Sequence, residues 1–320
     1  MKRRRLLACG PAVLAAATIL PQNMHASLSA IGISQPPLPY AFDALEPFIS
    51  ASLLKRHHLV HHQTHVAEMD SPLMPRQDLI ESLALRLHWI NMRLMNLRTA
   101  TQHSGGARML AARLCMIRDL VRKHGGGHVN HSLFWRWLAS PGSSPRTPAG
   151  DLANAFEASF GGFSGFQSRF TSAALSVEGN GWAWLVLRKD HSPAIMTTRT
   201  EDNPMMRSVV PDEQLGIPIL GIDMAFHAYK HQYQDDCQAY VKAWWQVVNW
   251  NQVMIDYHSF ASYSHLLQPP LHDPLWGGAL SQDAECKSGT MLGKHAAKGI
   301  DESQSRPGLQ RPRQRCVQRQ

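Results

Sequence analysis

Three prolines and two glycines fall within the eleven residues SPGSSPRTPAG at 140–150. Each proline lacks a donor N–H and disfavours helix in the residue before it, so neither a helix nor a strand runs through this stretch. The chain must fold as two segments, one on either side. Upstream, Gln35-Pro36-Pro37-Leu38-Pro39 is an extended lead-in. The apolar spacing after it predicts a helix over 44–69, with Asp43 as N-cap and Pro47 in its first turn. Two more helices are expected at 77–100 and 107–123, divided by Ser104-Gly105-Gly106, and HGGGHVNHSLFWRWL at 124–138 predicts a glycine turn opening a short aromatic helix. Downstream, 151–158 and 163–177 carry helical periodicity. The composition then changes: GWAWLVLRK at 181–189 is aromatic and β-branched between glycines and predicts a strand, with others near 193–199 and 216–223 and a Trp- and Tyr-rich helix over 225–250. An all-helical first half and an α+β second half follow.

The ends behave differently from this middle. The formal charge is +8, but residues 1–30 hold four basic and no acidic residues, 276–320 hold eight basic and four acidic, and the 245 residues between are neutral with 20 of each sign. Nucleic-acid binding needs a concentrated basic face on folded structure, so no nucleic-acid partner is expected. Lys2, Arg3, Arg4 and Arg5 precede the 15-residue apolar run LLACGPAVLAAATIL at 6–20, the layout of a secretory signal. That run is shorter than the ~20 residues of a membrane-spanning helix, so no membrane span is expected once the signal is removed. Arg3-Arg4-Arg5 fits twin-arginine export to a periplasmic or secreted location, and an Arg-rich organellar transit peptide is the alternative. Residues 276–320 have no hydrophobic period and read as a disordered basic tail. Cys115, Cys237, Cys286 and Cys316 have no zinc-knuckle or redox spacing and leave the disulfide state open.

Chemistry concentrates in the 18 histidines. His57, His61 and His65 recur every four residues and share a helical face. His128 and His131 open the aromatic helix, and Asp223 and His227 sit four apart where a strand passes into a helix. Three imidazoles and one carboxylate from separate elements suit a mononuclear Mn or Fe centre with an open position. The plainer alternatives are a solvated histidine face and, for Asp223 with His227, a cap and a core histidine. There is no dinucleotide fingerprint, phosphate loop, nucleophile elbow or H-E-x-x-H.

LPYAFDALEPFIS at 38–50, HHQTHV at 61–66, GGGHVNHSLFW at 125–135, GWAWLVL at 181–187, PILGID at 218–223 with HAY at 227–229, and AWWQVVNW at 243–250 occur in one order. Together they resemble the iron/manganese superoxide dismutase family over about residues 37–255. The resemblance implies an α+β fold: an N-terminal helical hairpin domain over 37–140, then a C-terminal α/β domain over 147–258 with a three-stranded antiparallel sheet and helices. It implies that His57, His131, Asp223 and His227 bind one Mn or Fe ion per subunit, with solvent as a fifth ligand. The ion would alternate between 3+ and 2+ as superoxide is converted to dioxygen and hydrogen peroxide. Gly127 stands where iron-type members place a glutamine, so the chain looks manganese-type. His61 matches the gateway histidine, and Trp135 and Trp182 match two aromatics lining the site.

The same resemblance marks departures. His65 replaces the gateway tyrosine, and Glu201 replaces the manganese-type glutamine whose amide donates to coordinated solvent. An ionised Glu accepts that bond and does not donate it. Ala225 replaces an aromatic lid, Phe226 the glutamate that bridges to a partner subunit, Lys230 an interface tyrosine, and Cys237 an arginine that attracts the anionic substrate. A homodimer is expected from the family, with its interface residues altered. Two functions follow: a superoxide dismutase, or a catalytically weakened metal-binding homologue with a metal-retention or interaction role.

Overall fold

The computed structural model describes residues 34–69, 112, 115–207 and 209–260. The expected signal, tail, helix 77–100 and the first part of helix 107–123 lie outside them.

The first helix, α1, starts later than the sequence predicts. Residues 42–48 form turns, and the helix opens at Ala51, where the Ser50 side chain caps it by accepting from Leu53 N. Pro47 disfavours helical backbone at Glu46, so the helix cannot begin at Asp43. From Ala51–Arg56, α1 passes through a π-helical stretch, His57–His62, into Gln63–Met69. A second departure follows. Residues 115–120 are helical and run through a π-helical stretch, Val121–Gly125, directly into Gly126–Arg136; these last two stretches are α2. The three glycines therefore lie inside a continuous helix, and no turn occurs there. A Cβ on Gly126 would meet the Glu201 carbonyl oxygen at 2.3 Å, and one on Gly127 would meet the His65 ring at 2.5 Å. The glycines serve close approach.

The second half opens with α3, Gly150–Phe160, ended by Gly161 in the left-handed region at φ 73°. Helix α4 is Phe163–Leu175. Strands β1 (Gly181–Leu187), β2 (Pro193–Arg199) and β3 (Ile217–Asp223) make an antiparallel sheet in the order β2-β1-β3. All seven residues of β1 and of β3 are buried, which explains their apolar runs, interrupted only by Asp223 at the end of β3. β1 pairs Trp182 with Asp223, fixing an indole beside the last residue of β3. Helix α4 covers β1 and β2, and α2 packs on β3.

The helix expected over 225–250 is three pieces: α5 (Phe226–Tyr233), α6 (Cys237–Trp244) and α7 (Trp250–His258). Gln234 takes positive φ after α5, while Asp236 and Asn249 cap the later two by accepting from Ala239 N and Gln252 N. Polar residues in an aromatic run thus set boundaries that periodicity hides. Trp244, Trp245 and Trp250 pack with Phe166 and Phe170, so these tryptophans are core. No helix among the described residues is long and apolar enough to cross a membrane.

Candidate metal centre

Four elements meet at one point. His57 comes from the π-helical stretch of α1, His131 from α2, Asp223 from the end of β3 and His227 from the first turn of α5. Their ligand atoms all lie within 4.8 Å of one another. The Asp223 Oδ2 atom is 3.1 Å from His57 Nε2, 3.5 Å from His131 Nε2 and 3.0 Å from His227 Nε2, and the His57 and His131 Nε2 atoms are 3.1 Å apart.

Local bonds aim these atoms. His131 Nδ1–H donates to Gly127 O at 2.7 Å, so the ring, when neutral, presents an Nε2 lone pair. Asp223 Oδ1 accepts from Ala225 N at 2.7 Å, a cap-like bond at the strand-to-helix passage, and this leaves Oδ2 turned to the imidazoles. Both sequence readings of Asp223 therefore hold at once, one per oxygen.

The cluster fits a cation. Metal–ligand bonds of ~2.1 Å place donors about 3.0 Å apart at right angles and about 3.6 Å apart at 120°, which brackets the observed separations. Asp223 Oδ2 and His227 Nε2 are buried and, though 3.0 Å apart, are not aligned as a hydrogen bond, an arrangement that costs free energy unless a positive ion sits among them. The electrostatics agree. Burial pushes the Asp223 carboxyl up, yet the charge of His227 and contacts with His131, His227 and His57 hold it well below the usual carboxylate range. Burial lowers His131, yet Asp223 and Glu201 raise it, so the field between these groups favours positive charge. His57 is held well below its ordinary value, foremost by burial, and stays neutral.

The remaining predicted residues surround this point. His61 stacks on His227 with centroids 4.3 Å apart, and Trp135 meets His57 edge-on at 4.8 Å. Burial, then the charge of His227, lowers His61 to about 4. His65 and Glu201 form a pair beside His131, with His65 Nε2 3.6 Å from Glu201 Oε1. Glu201 Oε2 accepts from Trp182 Nε1 at 3.3 Å. Burial would raise Glu201, but the His65 contact and the charge of His131 outweigh it and lower its pKa, so it is an ionised acceptor.

Several supporting residues escaped the sequence reading. Trp135 Nε1 donates to His62 Nδ1 at 3.0 Å, which makes the neutral His62 a donor through Nε2 to His128 Nδ1 at 2.7 Å. His128, a candidate ligand by sequence, belongs to this buttress and not to the ligand set. Fully buried Asn130 donates to Glu201 O at 3.1 Å and accepts from Asn203 Nδ2 at 3.0 Å. A lone amide between Val129 and His131 in an aromatic helix was the available signal.

Residues 34–139 match the α-hairpin domain of the iron/manganese superoxide dismutases, and residues 148–255 match their C-terminal domain. The chain belongs to the iron/manganese superoxide dismutases. Its relatives include manganese superoxide dismutase 1 of Leptolyngbya boryana, 35% identical over 226 residues that cover 71% of this chain and 81% of the relative. The manganese superoxide dismutase of Yersinia enterocolitica is 35% identical over 223 residues, covering 68% and 94%, and that of Pseudomonas aeruginosa is 36% identical over 221 residues, covering 68% and 93%. In this member of the superoxide dismutase family Cys237 is buried and disulfide-bonded, and the half-buried Cys115 is disulfide-bonded as well. Cys237 therefore supplies no positive charge toward an anionic substrate.

Proposed function

We propose that this protein dismutates superoxide, taking two superoxide anions and two protons to dioxygen and hydrogen peroxide at the site held by His57, His131, Asp223 and His227. The observation that carries the reading is the convergence of three imidazole nitrogens and one carboxylate oxygen, two of them orphaned, at separations a bound ion would set. A bound manganese or iron ion supplies the one-electron chemistry, and Gly127 together with the manganese-named relatives favours manganese.

The chain's own residues do the rest. Trp135 and Trp182 wall the ligands and exclude bulk water. His61, kept neutral by burial, presents an Nε2 atom without a hydrogen-bond partner. His65 Nε2 is where a proton can be held against the Glu201 carboxylate. Arg56, whose charge reaches His61, puts a cation on that side of the site.

The second reading, a weakened homologue retaining metal, rests on Glu201: as an ionised acceptor it cannot donate to solvent bound in the centre. Metal content and dismutation per bound ion, measured on the same sample purified without added metal, separate the two. Near-stoichiometric metal with rapid turnover supports the enzyme, bound metal with negligible turnover supports the weakened homologue, and a folded protein that never takes metal ends both.

We further propose export to an oxidising compartment and assembly as a homodimer. Disulfide bonding of Cys115 and Cys237 supports the first, because such bonds persist in secreted and periplasmic proteins and are rare in the cytosol. The dimer would use the face where Lys230 lies over Phe226 at 5.4 Å in place of a bridging carboxylate. Cell fractionation and light scattering test these in turn, and a cytosolic or monomeric protein would overturn them.

A further inference from the structure

We propose that Arg122 is a positioning residue for Glu201, acting from α2 through Asp202 to fix the turn on which that carboxylate stands. The inference rests on the metal site proposed above. Arg122 and Asp202 form a two-pronged pair, Nε to Oδ1 at 2.6 Å and Nη2 to Oδ2 at 2.7 Å. Such fork-to-fork pairing fixes orientation as well as distance. Asp202 is the residue after Glu201, and its carbonyl is itself held, accepting at 2.6 Å from Thr198 Oγ1, which accepts at 2.8 Å from Trp184 Nε1.

The turn needs this hold. Thr200, immediately before Glu201, is β-branched yet takes φ 49°, in the left-handed region that such residues avoid. A strained backbone persists only where its surroundings over-determine it. Three contacts from α2 do so at successive turns: the Arg122 fork on Asp202, the bare face of Gly126 under the Glu201 carbonyl, and the Asn130 amide on that same carbonyl. The same helix carries His131. Glu201 is thereby indexed to the ligand through one rigid element, and Arg122 is the charged member of that index. The Arg122 side chain is 42% exposed, with its fork turned onto Asp202.

The test compares Arg122→Gln and Arg122→Lys in the natural chain and in the Glu201→Ala background, all loaded with manganese. The readouts are metal content, the midpoint potential of the bound ion and turnover. In the natural chain Arg122→Gln should leave metal content unchanged, shift the potential and change turnover about ten-fold, the usual scale for groups that orient a metal's neighbours. Arg122→Lys, which keeps the charge and loses the fork, should fall between. In the Glu201→Ala background, with no polar side chain to place, Arg122→Gln should move neither potential nor turnover. A potential shift of equal size in both backgrounds would mean that Arg122 acts as a distant charge, and no shift in the natural chain would mean that the turn is held without it. Either result overturns the proposal. Should Arg122→Gln fail to fold, Asp202→Asn cuts the same pair from the other side. The potential is read whether or not the protein turns over superoxide, so failure of the proposed activity and failure of this inference are distinguishable.

Discussion

Glu201 concentrates the question of how well this site works. Its carboxylate accepts from Trp182 and faces His65, and it is ionised, so where the family resemblance places an amide donor this chain has only an acceptor. Glu201→Gln restores a donor at the same length. The expected outcome is a rise of about ten-fold in turnover per bound ion, checked by pulse radiolysis on proteins of equal metal content; unchanged turnover would show that solvent here is organised by other groups. The convergence of His57, His131, Asp223 and His227 was legible in the sequence because each sits in its own motif and their chemistry agrees. Asn130, His62 and Arg122 were not. Their roles depend on which turn of α2 lies under residues 200–203 and which ring Trp135 meets, contacts across 71 to 80 residues of chain that no local pattern records.

Helix α2 shows how an element can be misread when its glycines are taken as punctuation. Glycine inside a helix costs about 1 kcal/mol relative to alanine, so three in succession argue for a turn unless something occupies the space a Cβ would fill. Here the Glu201 carbonyl and the His65 ring occupy it. Gly127→Ala should therefore lower stability by about 1–3 kcal/mol through overpacking, measured by urea unfolding of the metal-free protein. The double variant Gly127→Ala with His65→Ala should recover most of that loss; no recovery would put the cost elsewhere. The histidine spacing in α1 was read correctly as one side of a helix, but the π-helical stretch His57–His62 was not foreseen. Hydrogen bonds from i to i+5 broaden the turn, and neighbours as close as His57, His58 and His62 are all buried. The strands were the plainest elements, since β1 is apolar throughout, β3 is apolar up to its terminal Asp223, and both are buried on both faces. The breaks between α5, α6 and α7 were not, because they rest on caps and one positive φ within a continuous aromatic pattern.

At the scale of the molecule, buried imidazoles make the fold sensitive to acid. Burial foremost lowers His124 and His128 to about 4 from their ordinary 6.5. The unfolded chain binds protons that the folded one refuses, so stability present above about pH 6.5 declines as the pH falls and levels off near 4. Thermal unfolding of metal-free protein across this range should show a falling midpoint; a flat profile would mean these rings are hydrated and titrate normally. The metal adds to this from the other direction, since an ion that binds only the folded state raises the midpoint with its concentration. Metal uptake has its own barrier. His57, His131 and Asp223 are each no more than 3% exposed, and the four residues that could hold the ion come from segments as far apart in the chain as positions 57 and 227. With three of the four residues buried, uptake by folded metal-free protein should be slow at 25 °C and accelerate steeply on warming toward the unfolding midpoint, followed by metal analysis after gel filtration. Rapid uptake in the cold would show that the elements part easily. The burial of the centre makes the ion a kind of memory: once the chain has closed, the identity of the bound metal reports the ionic surroundings in which it folded and not those in which it later works.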